Sequence, residues 1–291
     1  MKDQLKILLA GCGDIGQRTA LRLMPRHQCY GMRRQPQNLS EGIVPLAANV
    51  TDANQLATIL EQGFDVVVVT LTPNGFTEQA YRESYVQGAR ALGKAISAAD
   101  RKPDLVIWVS STSVYGNNNG DWVDEETPPD PQSFSGTLLL EAEHIIAELP
   151  CQQSIVRFSG IYGPGRTRML GQIKAGKGRP ALPPQWSNRI HSDDCAGVLC
   201  HLIELYAAGE AIDNLYLATD SAPVAQHDLR CWMAGIMQVE LEDEIVQQKA
   251  VRRCSNQRLL DSGYSLIYPS YKEGYLQLMA ESGELPGNLD N

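Results

Sequence analysis

The sequence predicts an α/β fold in which parallel strands alternate with helices around one sheet. Short apolar runs rich in β-branched residues alternate with longer stretches of helical periodicity, and a glycine-rich turn joins the first run to the first helix. Continuously apolar runs are typical of strands buried on both faces of a parallel sheet. This alternation therefore predicts a doubly wound sheet with helices on both faces.

The elements follow one another along the first two-thirds of the chain. Predicted strands are residues 5–10, 28–32, 43–47, 66–70, 105–110, 154–158 and 214–218. Predicted helices are residues 16–24, 53–62, 77–100, 138–149 and 193–208. Glycine, proline and arginine are frequent in residues 163–190, which predicts loops with one short helix. Helical pieces with loops are expected beyond Pro223, and the polar tail 284–291 is expected to fray.

This pattern divides the chain into a sheet domain and a smaller C-terminal lobe. We assign residues 1–165 to the sheet domain and residues 166–291 to the lobe, with about 190–220 returning to pack on the sheet. A chain of 291 residues, 43% hydrophobic and 20% charged, has the composition of a globular protein.

Charge and hydropathy exclude several classes of partner. The net charge is −9 and no run of Lys or Arg exceeds a pair, so a nucleic-acid footprint is not expected. Neither a membrane-spanning stretch nor a signal-peptide pattern is present, which predicts a cytoplasmic protein without a membrane partner. The seven cysteines form no C-x-x-C pair, so we expect buried free thiols and no metal site.

The first predicted strand runs into Gly11-Cys12-Gly13-Asp14-Ile15-Gly16. At this junction Gly11 permits the tight turn, Gly13 lets a pyrophosphate approach the backbone, and Gly16 lets helix and strand pack closely. The neighbouring Asp14 and Ile15 open the helix and belong to the same loop. The spacing in this context predicts a Rossmann-type dinucleotide-binding domain.

The end of the second strand bears on which dinucleotide binds. NAD-binding sites usually carry an acid there, whereas this chain has Arg33 and Arg34. A guanidinium pairs with the 2′-phosphate of NADP(H), so we expect NADP(H) to be preferred and NAD(H) to remain possible. The alternative is that both arginines are solvated at a strand end.

Further cofactor contacts are expected at other strand ends. Asn49 follows the third strand and either hydrogen-bonds the adenine or forms a turn. Thr70, Leu71 and Thr72 end the fourth strand beside the ribose and pyrophosphate, and Ser110 ends the fifth.

Four segments carry a family resemblance. They are Val109-Ser110-Ser111-Thr112-Ser113-Val114-Tyr115-Gly116, Glu125-Glu126-Thr127-Pro128-Pro129, Val156-Arg157-Phe158-Ser159-Gly160-Ile161-Tyr162-Gly163-Pro164-Gly165 and Ile190-His191-Ser192-Asp193-Asp194. Together they resemble the extended short-chain dehydrogenases/reductases, the NAD-dependent epimerase/dehydratase family. The resemblance implies a Rossmann domain with a C-terminal substrate lobe.

The resemblance also implies a catalytic residue and exposes a departure. Ser111 takes the position of the family's catalytic Ser/Thr, which hydrogen-bonds the substrate oxygen; the alternative is that it only caps a strand end. The family's Tyr and Lys of Y-x-x-x-K fall on Ser135 and Leu139, which cannot transfer a proton. The chain therefore looks like the atypical branch of the family.

A replacement proton carrier must then come from elsewhere. Tyr81, Tyr85, Tyr115, Tyr162 and His191 lie on segments expected near strand ends. Of these, we select Tyr162 and His191 as catalytic candidates together with Ser111. Arg252, Arg253 and Arg258 either receive an anionic substrate group or form a surface ion-pair network.

These residues support two functional hypotheses. The first is an NADP(H)-dependent oxidoreductase or epimerase/dehydratase-like enzyme for a small hydroxyl- or carbonyl-bearing substrate. The second is a non-catalytic NADP(H)-binding sensor or scaffold that has lost hydride chemistry. A monomer or homodimer is expected in either case.

Overall fold

A computed structural model describes residue 2 and residues 4–116, 119–244 and 251–283 of the chain. The predicted tail 284–291 lies outside these described residues. Contacts within the chain define two compact units. Unit 1 comprises residues 1–115, 129–157 and 195–216, and unit 2 comprises residues 116–128, 158–194 and 217–291.

The central sheet has seven strands. These are β1 (Lys6–Ala10), β2 (Gln28–Arg33), β3 (Val44–Ala47), β4 (Val66–Val69), β5 (Leu105–Ser111), a sixth strand (Gln152–Phe158) and a seventh (Leu215–Ala218). Their order is seventh, sixth, β5, β4, β1, β2, β3. Parallel ladders join β1 to β2 and β4, β2 to β3, and β4 to β5. The predicted Rossmann-type parallel sheet is therefore confirmed.

The order of the strands locates the functional edge of the sheet. From β1 the chain moves outward through β2 to β3, and then returns past β1 to continue with β4. The reversal leaves a crevice at the carboxyl ends of β1 and β4, where doubly wound sheets bind their ligands. Both turns that follow these strands belong to unit 1.

The helices correspond to the predicted ones with shifted ends. They are α1 (Asp14–Leu23), α2 (Ala53–Leu60), α3 (Glu78–Tyr81), α4 (Gly88–Ala98), α5 (Phe134–Ala147), α6 (Arg168–Lys174), α7 (Ser192–Ala208), α8 (Gln226–Met237), α9 (Gln257–Asp261) and α10 (Tyr271–Glu281). A π-helical turn, Arg82–Gln87, interrupts the helix that was predicted as continuous over 77–100. Such turns are rare and occur frequently at functional sites.

Hydrophobic burial holds the sheet of unit 1 together. All four valines of β4 are buried, and Trp108 in β5 is fully buried beside Leu92 and Ile96 of α4. Complete burial of side chains of this size stabilises a fold by about 1.5–3 kcal/mol each. This core fixes the strand ends that carry the candidate site.

The division into units differs from the predicted boundary at residue 165. Residues 116–128 and 158–165 group with unit 2, and residues 195–216 return to unit 1. The chain thus passes between the units several times, which a single boundary cannot represent. Residues 195–216, which belong to unit 1, include most of α7. They lie within the stretch of about 190–220 that is expected to pack on the sheet.

Unit 2 contains short ladders that the sequence pattern did not predict. Residues 163–190 were expected to be loops with one short helix, and α6 is that helix. The stretch also contributes strands Lys177–Gly178 and Trp186–Ser187, each paired with a later segment. Strands of two residues are too short to show any periodicity in sequence.

Two predictions from composition concern membrane spans and thiols. Across the described residues, no helix combines the length and hydropathy that a bilayer crossing requires. The cysteines are free, and Cys12, Cys29, Cys195 and Cys254 are buried. Cys231 is exposed on α8, so the expectation of burial for every thiol is wrong at that position.

Candidate functional site

The glycine-rich turn after β1 is fastened to both neighbouring strands. Backbone amides of Gly11 and Cys12 donate to the Met32 oxygen at 3.0 and 3.1 Å. Thr70 Oγ1 donates to the Gly11 oxygen at 3.1 Å. Gly11 has a φ of +79°, and a Cβ there would lie 2.9 Å from both the Thr70 oxygen and Leu71 Cδ2. Only glycine fits this turn.

The turn leads into an α1 N-terminus that no side chain caps. Gly13 is the N-cap residue and makes no side-chain capping hydrogen bond. A Cβ on Gly13 would meet only the Gly11 oxygen, at 3.7 Å, so space is open in front of the first helical amides. Exposed amides at the positive end of a helix dipole form an anion site. The geometry therefore fits a nucleotide pyrophosphate.

The other predicted loop residues have structural partners. Asp14 Oδ1 accepts from Arg18 Nε at 2.7 Å, so an ion pair offsets its charge near the helix N-terminus. Ile15 is 9% exposed and anchors the first turn of α1. A Cβ on Gly16 would lie 3.0 Å from Thr70 Oγ1. The third glycine of the loop therefore lets α1 pack closely against the residue that follows β4.

Arg33 and Arg34 end β2 beside the turn. Burial raises the pKa of the Cys12 thiol to about 11, and the positive charge of Arg33 opposes that increase. Arg33 is partly buried and Arg34 is exposed. Neither forms an ion pair with an acid anywhere in the described part of the chain. Both guanidiniums are thus available to an anion.

Three further predicted cofactor residues lie at the same edge. Asn49 Oδ1 accepts from Thr51 N at 3.2 Å, which is the turn alternative for this residue. Leu71 packs against Gly11, and Thr72 is exposed. Thr72 is exposed at the carboxyl end of β4, where its hydroxyl is accessible to a ligand.

The side chain of Ser110 has a buried structural partner. Its side chain is buried, and Oγ donates to Glu143 Oε1 at 2.5 Å. Glu143 also accepts from Arg157, whose Nη1 donates to the Tyr115 hydroxyl oxygen at 2.7 Å. The Ser110 hydroxyl is therefore engaged in holding α5 to the sheet, and a cofactor contact by this residue stays a prediction.

Ser111 remains partly exposed at the end of β5. Its Oγ accepts from Ser113 N at 3.2 Å, which is the capping role, and its proton stays available for donation. The first turn of α5 packs closely on this segment, since a Cβ on Gly136 would collide with the Ser113 oxygen. Ser135 and Leu139, at the positions of the family's Tyr and Lys, are buried.

The tyrosines of unit 1 differ in whether their hydroxyl groups are accessible for proton transfer. Tyr85 OH donates to the Leu71 oxygen at 3.4 Å, and the Tyr115 hydroxyl is buried against Arg157. Tyr81 is partly exposed, and its ring centroid lies 5.6 Å from that of Phe134, the residue before Ser135. Tyr81 therefore has a partly exposed ring that packs on the residue before the vacated tyrosine position.

Tyr162 and His191 lie together in the interior of unit 2. The Tyr162 ring stacks on Tyr275 at 4.5 Å between centroids and meets His191 edge-on at 5.2 Å. Burial raises the pKa of Tyr162 far above its usual range. Tyr162 is 4% exposed and His191 is 1% exposed, so neither offers its proton to a molecule from solvent. This burial argues against the predicted catalytic roles, which stay predictions.

Sequence reasoning missed a buried carboxyl in unit 2. Asp220 is 1% exposed, and its Oδ1 accepts from Ala222 N at 3.2 Å. Burial raises the pKa of Asp220 to about 7, against the opposing effects of the Ala222 hydrogen bond and Arg189. A single Asp after a strand resembles an ordinary turn residue, so no sequence signal marked it.

Clusters of His, Cys, Asp and Glu side chains are the usual protein ligands of metal ions. Over residues with assigned positions, no three His, Cys, Asp or Glu side chains converge as metal ligands do. The groups at the sheet edge that can contact a ligand include backbone amides, two arginines and hydroxyl groups.

Comparison with known proteins gives the family context. The RmlD substrate binding domain family matches residues 5–251. A solved structure from Methylobacillus flagellatus, whose name assigns it to the NAD-dependent epimerases/dehydratases, is 38% identical with a TM-score of 0.82. The match covers 96% of this chain and 99% of the Methylobacillus flagellatus chain. The predicted family resemblance is confirmed.

More distant structures share the fold. Human epimerase family protein SDR39U1 with NADPH is 20% identical, with a TM-score of 0.74 over 95% of this chain and 99% of that one. UDP-glucuronic acid 4-epimerase from Bacillus cereus in complex with NAD is 19% identical, with a TM-score of 0.75 over 95% and 98%. Among curated proteins, no sequence matches.

Proposed function

Because the chain belongs to the RmlD substrate binding domain family, we propose that it is an NADP(H)-dependent oxidoreductase or epimerase/dehydratase-like enzyme acting on a small hydroxyl- or carbonyl-bearing substrate. One observation carries the proposal: the uncapped N-terminus of α1 opens beside two arginines that lack acidic partners in the described chain. Such an arrangement suits a ligand with a pyrophosphate and an additional phosphate.

Different residues of unit 1 would bind different parts of the nucleotide. The first amides of α1 would bind the pyrophosphate, and the open space at Gly13 admits its approach. Arg33 and Arg34 would pair with the 2′-phosphate that distinguishes NADP(H) from NAD(H). Related folds are described with NADPH in the human protein and with NAD in the Bacillus cereus enzyme, so the fold accommodates either nucleotide.

Ser111 and Tyr81 are the groups that we assign to the substrate. The bound nicotinamide supplies hydride transfer. Ser113 N fixes the Ser111 oxygen, which leaves the hydroxyl proton to donate to a substrate oxygen. Tyr81 packs on Phe134 next to the vacated tyrosine position, and a neutral phenol there is a suitable proton donor.

A second function has its own supporting observation. Ser135 is 7% exposed and Leu139 is 3% exposed, so neither position offers a proton or a positive charge to the nucleotide. A chain that retains the phosphate-binding loop without this pair would bind NADP(H) and sense it without turnover. The two functions share the nucleotide site and differ only in chemistry.

Nucleotide titration tests the shared part of the proposal. We expect wild-type protein to bind NADPH more tightly than NADH in equilibrium fluorescence titrations. Arg33→Ala and Arg34→Ala should weaken NADPH binding by about tenfold while NADH binding changes little, because only NADPH carries the charge that they bind. Lys94→Gln, an exposed charge loss on α4, is the matched control. Equal losses for both nucleotides would refute the NADP(H) preference.

Turnover separates the enzyme from the sensor. A panel of small carbonyl and alcohol substrates is screened with the preferred nucleotide, and Ser111→Ala and Tyr81→Phe are compared with Ser97→Ala, an exposed hydroxyl loss on α4. Turnover that falls in the first two variants, with nucleotide affinity retained, supports the enzyme. Tight NADPH binding with no turnover across the panel supports the sensor.

A further inference from the structure

A short parallel ladder in unit 2 has an outer face that carries an aromatic ring and a positive charge. Arg253 pairs with Trp122 and Cys254 pairs with Val123. Val123 and Cys254 are each 1% exposed, so they form the inner face. Because side chains alternate along a strand, Trp122 and Arg253 share the outer face, and Trp122 is 54% exposed there.

The Arg253 guanidinium lies between two indole rings. Its centre is 5.1 Å from the Trp122 ring centroid and 4.8 Å from that of Trp186. Nε donates to the Gly120 oxygen at 2.7 Å, which fixes the direction of the side chain. Within the described residues, Arg253 has no acidic partner, and its two terminal nitrogens form no hydrogen bond. A rigid, unneutralised fork of this kind matches a carboxylate or phosphate.

The turn that holds Arg253 is shaped for this contact. Gly120 has a φ of +88°, and a Cβ there would lie 2.9 Å from Trp186 Cδ1 and Nε1. The same glycine therefore brings its backbone against one indole and offers its oxygen to Arg253 Nε. The neighbouring arginines are used otherwise, since Arg252 Nη1 donates to the Gly116 oxygen and Arg258 pairs with Glu126.

A cavity adjoins this ladder. Its volume is about 370 Å³, and its lining among the described residues is Trp122, Val123, Asp124 and Ser255. Arg253 lies next to this lining, as the ladder partner of Trp122. That size is within the range of small-molecule sites. Asp124 Oδ1 accepts from Thr127 N at 3.0 Å and Oγ1 at 2.8 Å, so this oxygen is held in its own turn. Trp122 offers an exposed aromatic surface to the cavity.

We propose that this cavity, together with Arg253 beside it, binds a small ligand in which a carboxylate or phosphate is carried on a flat ring. The anionic group pairs with the Arg253 fork, and the ring stacks on Trp122. All the residues involved belong to unit 2, so the site does not depend on the nucleotide site of unit 1.

Isothermal titration with matched probes tests the site. Phenyl phosphate and benzoate combine a ring with each anion, while inorganic phosphate and phenol supply the parts separately. We expect at least one of the combined probes to bind about tenfold more tightly than its separate parts. Comparison of the two combined probes identifies whether phosphate or carboxylate is preferred.

Variants assign the binding to this cavity. Arg253→Gln should weaken the preferred probe by about tenfold or more, whereas Lys94→Gln should leave it unchanged. Because Arg253→Gln also removes packing between two indoles, Ser255→Phe provides an independent test: it fills the cavity without altering the arginine and should abolish binding. Thermal unfolding and near-ultraviolet circular dichroism verify that each variant is folded.

Several outcomes would overturn the proposal. One is the absence of binding by both combined probes to wild-type protein at millimolar concentrations. Another is unchanged affinity in folded Arg253→Gln or Ser255→Phe protein. A third is competition with NADPH together with a loss of probe binding in Arg33→Ala, because the probe would then occupy unit 1. Failure of NADPH binding alone leaves this site unaffected.

Discussion

Arg157 and Glu143 form a two-point ion pair in the interior of unit 1. Nε lies 3.1 Å from Oε1, and Nη2 lies 2.6 Å from Oε2, with both side chains at most 5% exposed. Burial by itself lowers the pKa of Arg157, and the Glu143 carboxylate outweighs that effect, so the pKa is raised. This pair joins α5 to the sixth strand and thereby positions the Ser111 segment.

Loss of one partner should be strongly destabilising. Glu143→Gln keeps the shape of the side chain but leaves a buried cation without its counter-ion. We expect the free energy of unfolding to fall by about 3–5 kcal/mol. Urea denaturation followed by circular dichroism measures this change.

The control for this prediction is an exposed pair on the same helix. Glu141 pairs with Arg82 and Arg90 at the surface. Glu141→Gln should cost about 1 kcal/mol or less, because solvent screens such pairs. Similar decreases in the free energy of unfolding for both variants would mean that the buried pair contributes no more to stability than the exposed pair.

Two glycines of the phosphate-binding turn should respond differently to alanine. Gly11→Ala places a Cβ against the Thr70 oxygen at a positive φ and should destabilise folding by about 1–3 kcal/mol. Gly13→Ala meets only the Gly11 oxygen at 3.7 Å and should leave stability almost unchanged. Its methyl group enters the space for the pyrophosphate, so NADPH affinity should fall about tenfold or more.

Thermal unfolding and nucleotide titration of both variants measure these effects. Tight NADPH binding by Gly13→Ala would show that the pyrophosphate does not approach the backbone at this point. The nucleotide-binding proposal would then lose its geometric basis.

Tyr162 should behave as a packing residue. Its hydroxyl is buried and makes no hydrogen bond to any described residue, so Tyr162→Phe removes an unsatisfied polar group. We expect stability to stay the same or to rise by about 1 kcal/mol. Tyr264→Phe is the matched control, since Tyr264 OH donates to the buried Asp194 Oδ1 at 2.8 Å. That variant should lose about 1–3 kcal/mol.

Chemical denaturation of the two phenylalanine variants provides the comparison. A strong loss of stability in Tyr162→Phe would indicate a polar partner for the hydroxyl. Loss of turnover with unchanged stability would restore Tyr162 to the catalytic residues.

Asp220 should make stability depend on pH. Its pKa rises on folding from 3.8 to about 7, mainly through burial, with Asp194 and Glu273 adding to the rise. Between these values the folded state holds a proton that the unfolded chain has lost, so the free energy of unfolding falls as the pH increases. Above the folded pKa this dependence ends.

The neutral variant Asp220→Asn should lack this decline. We compare the free energies of unfolding of the variant and wild type at about pH 5 and about pH 8. The difference, variant minus wild type, should be larger at the higher pH by on the order of 2 kcal/mol. Asp228→Asn, an exposed acid on α8, should show no such gain. Parallel pH profiles for wild type and Asp220→Asn would contradict a raised pKa.

Local patterns sufficed for the sheet and its phosphate-binding turn. Four consecutive valines at 66–69 and the apolar run before Gly11 identify buried parallel strands without any knowledge of their neighbours. Turn chemistry at Gly11 is likewise local, because a positive φ requires glycine whatever surrounds it. The absence of the family's Tyr and Lys at Ser135 and Leu139 is implied by the family resemblance.

Tertiary contacts decided which of the candidate side chains are accessible. Ser110 and Ser111 are neighbours in sequence, yet one is tied to Glu143 and the other is partly exposed, because alternate residues of a strand face opposite sides. The sequence favours Tyr162 and His191 over Tyr81 as catalytic candidates, whereas the structure buries the first two and leaves Tyr81 partly exposed.

The sequence by itself therefore determined the fold class and the nucleotide-binding turn, and its resemblance to the family implied the loss of the catalytic pair, since each depends on residues close together in the chain. Only the tertiary structure determined the burial of Asp220, the indole contacts of Arg253 and the discontinuous division into two units. These features depend on residues far apart in sequence, whose proximity and shared desolvation arise only when the chain has folded.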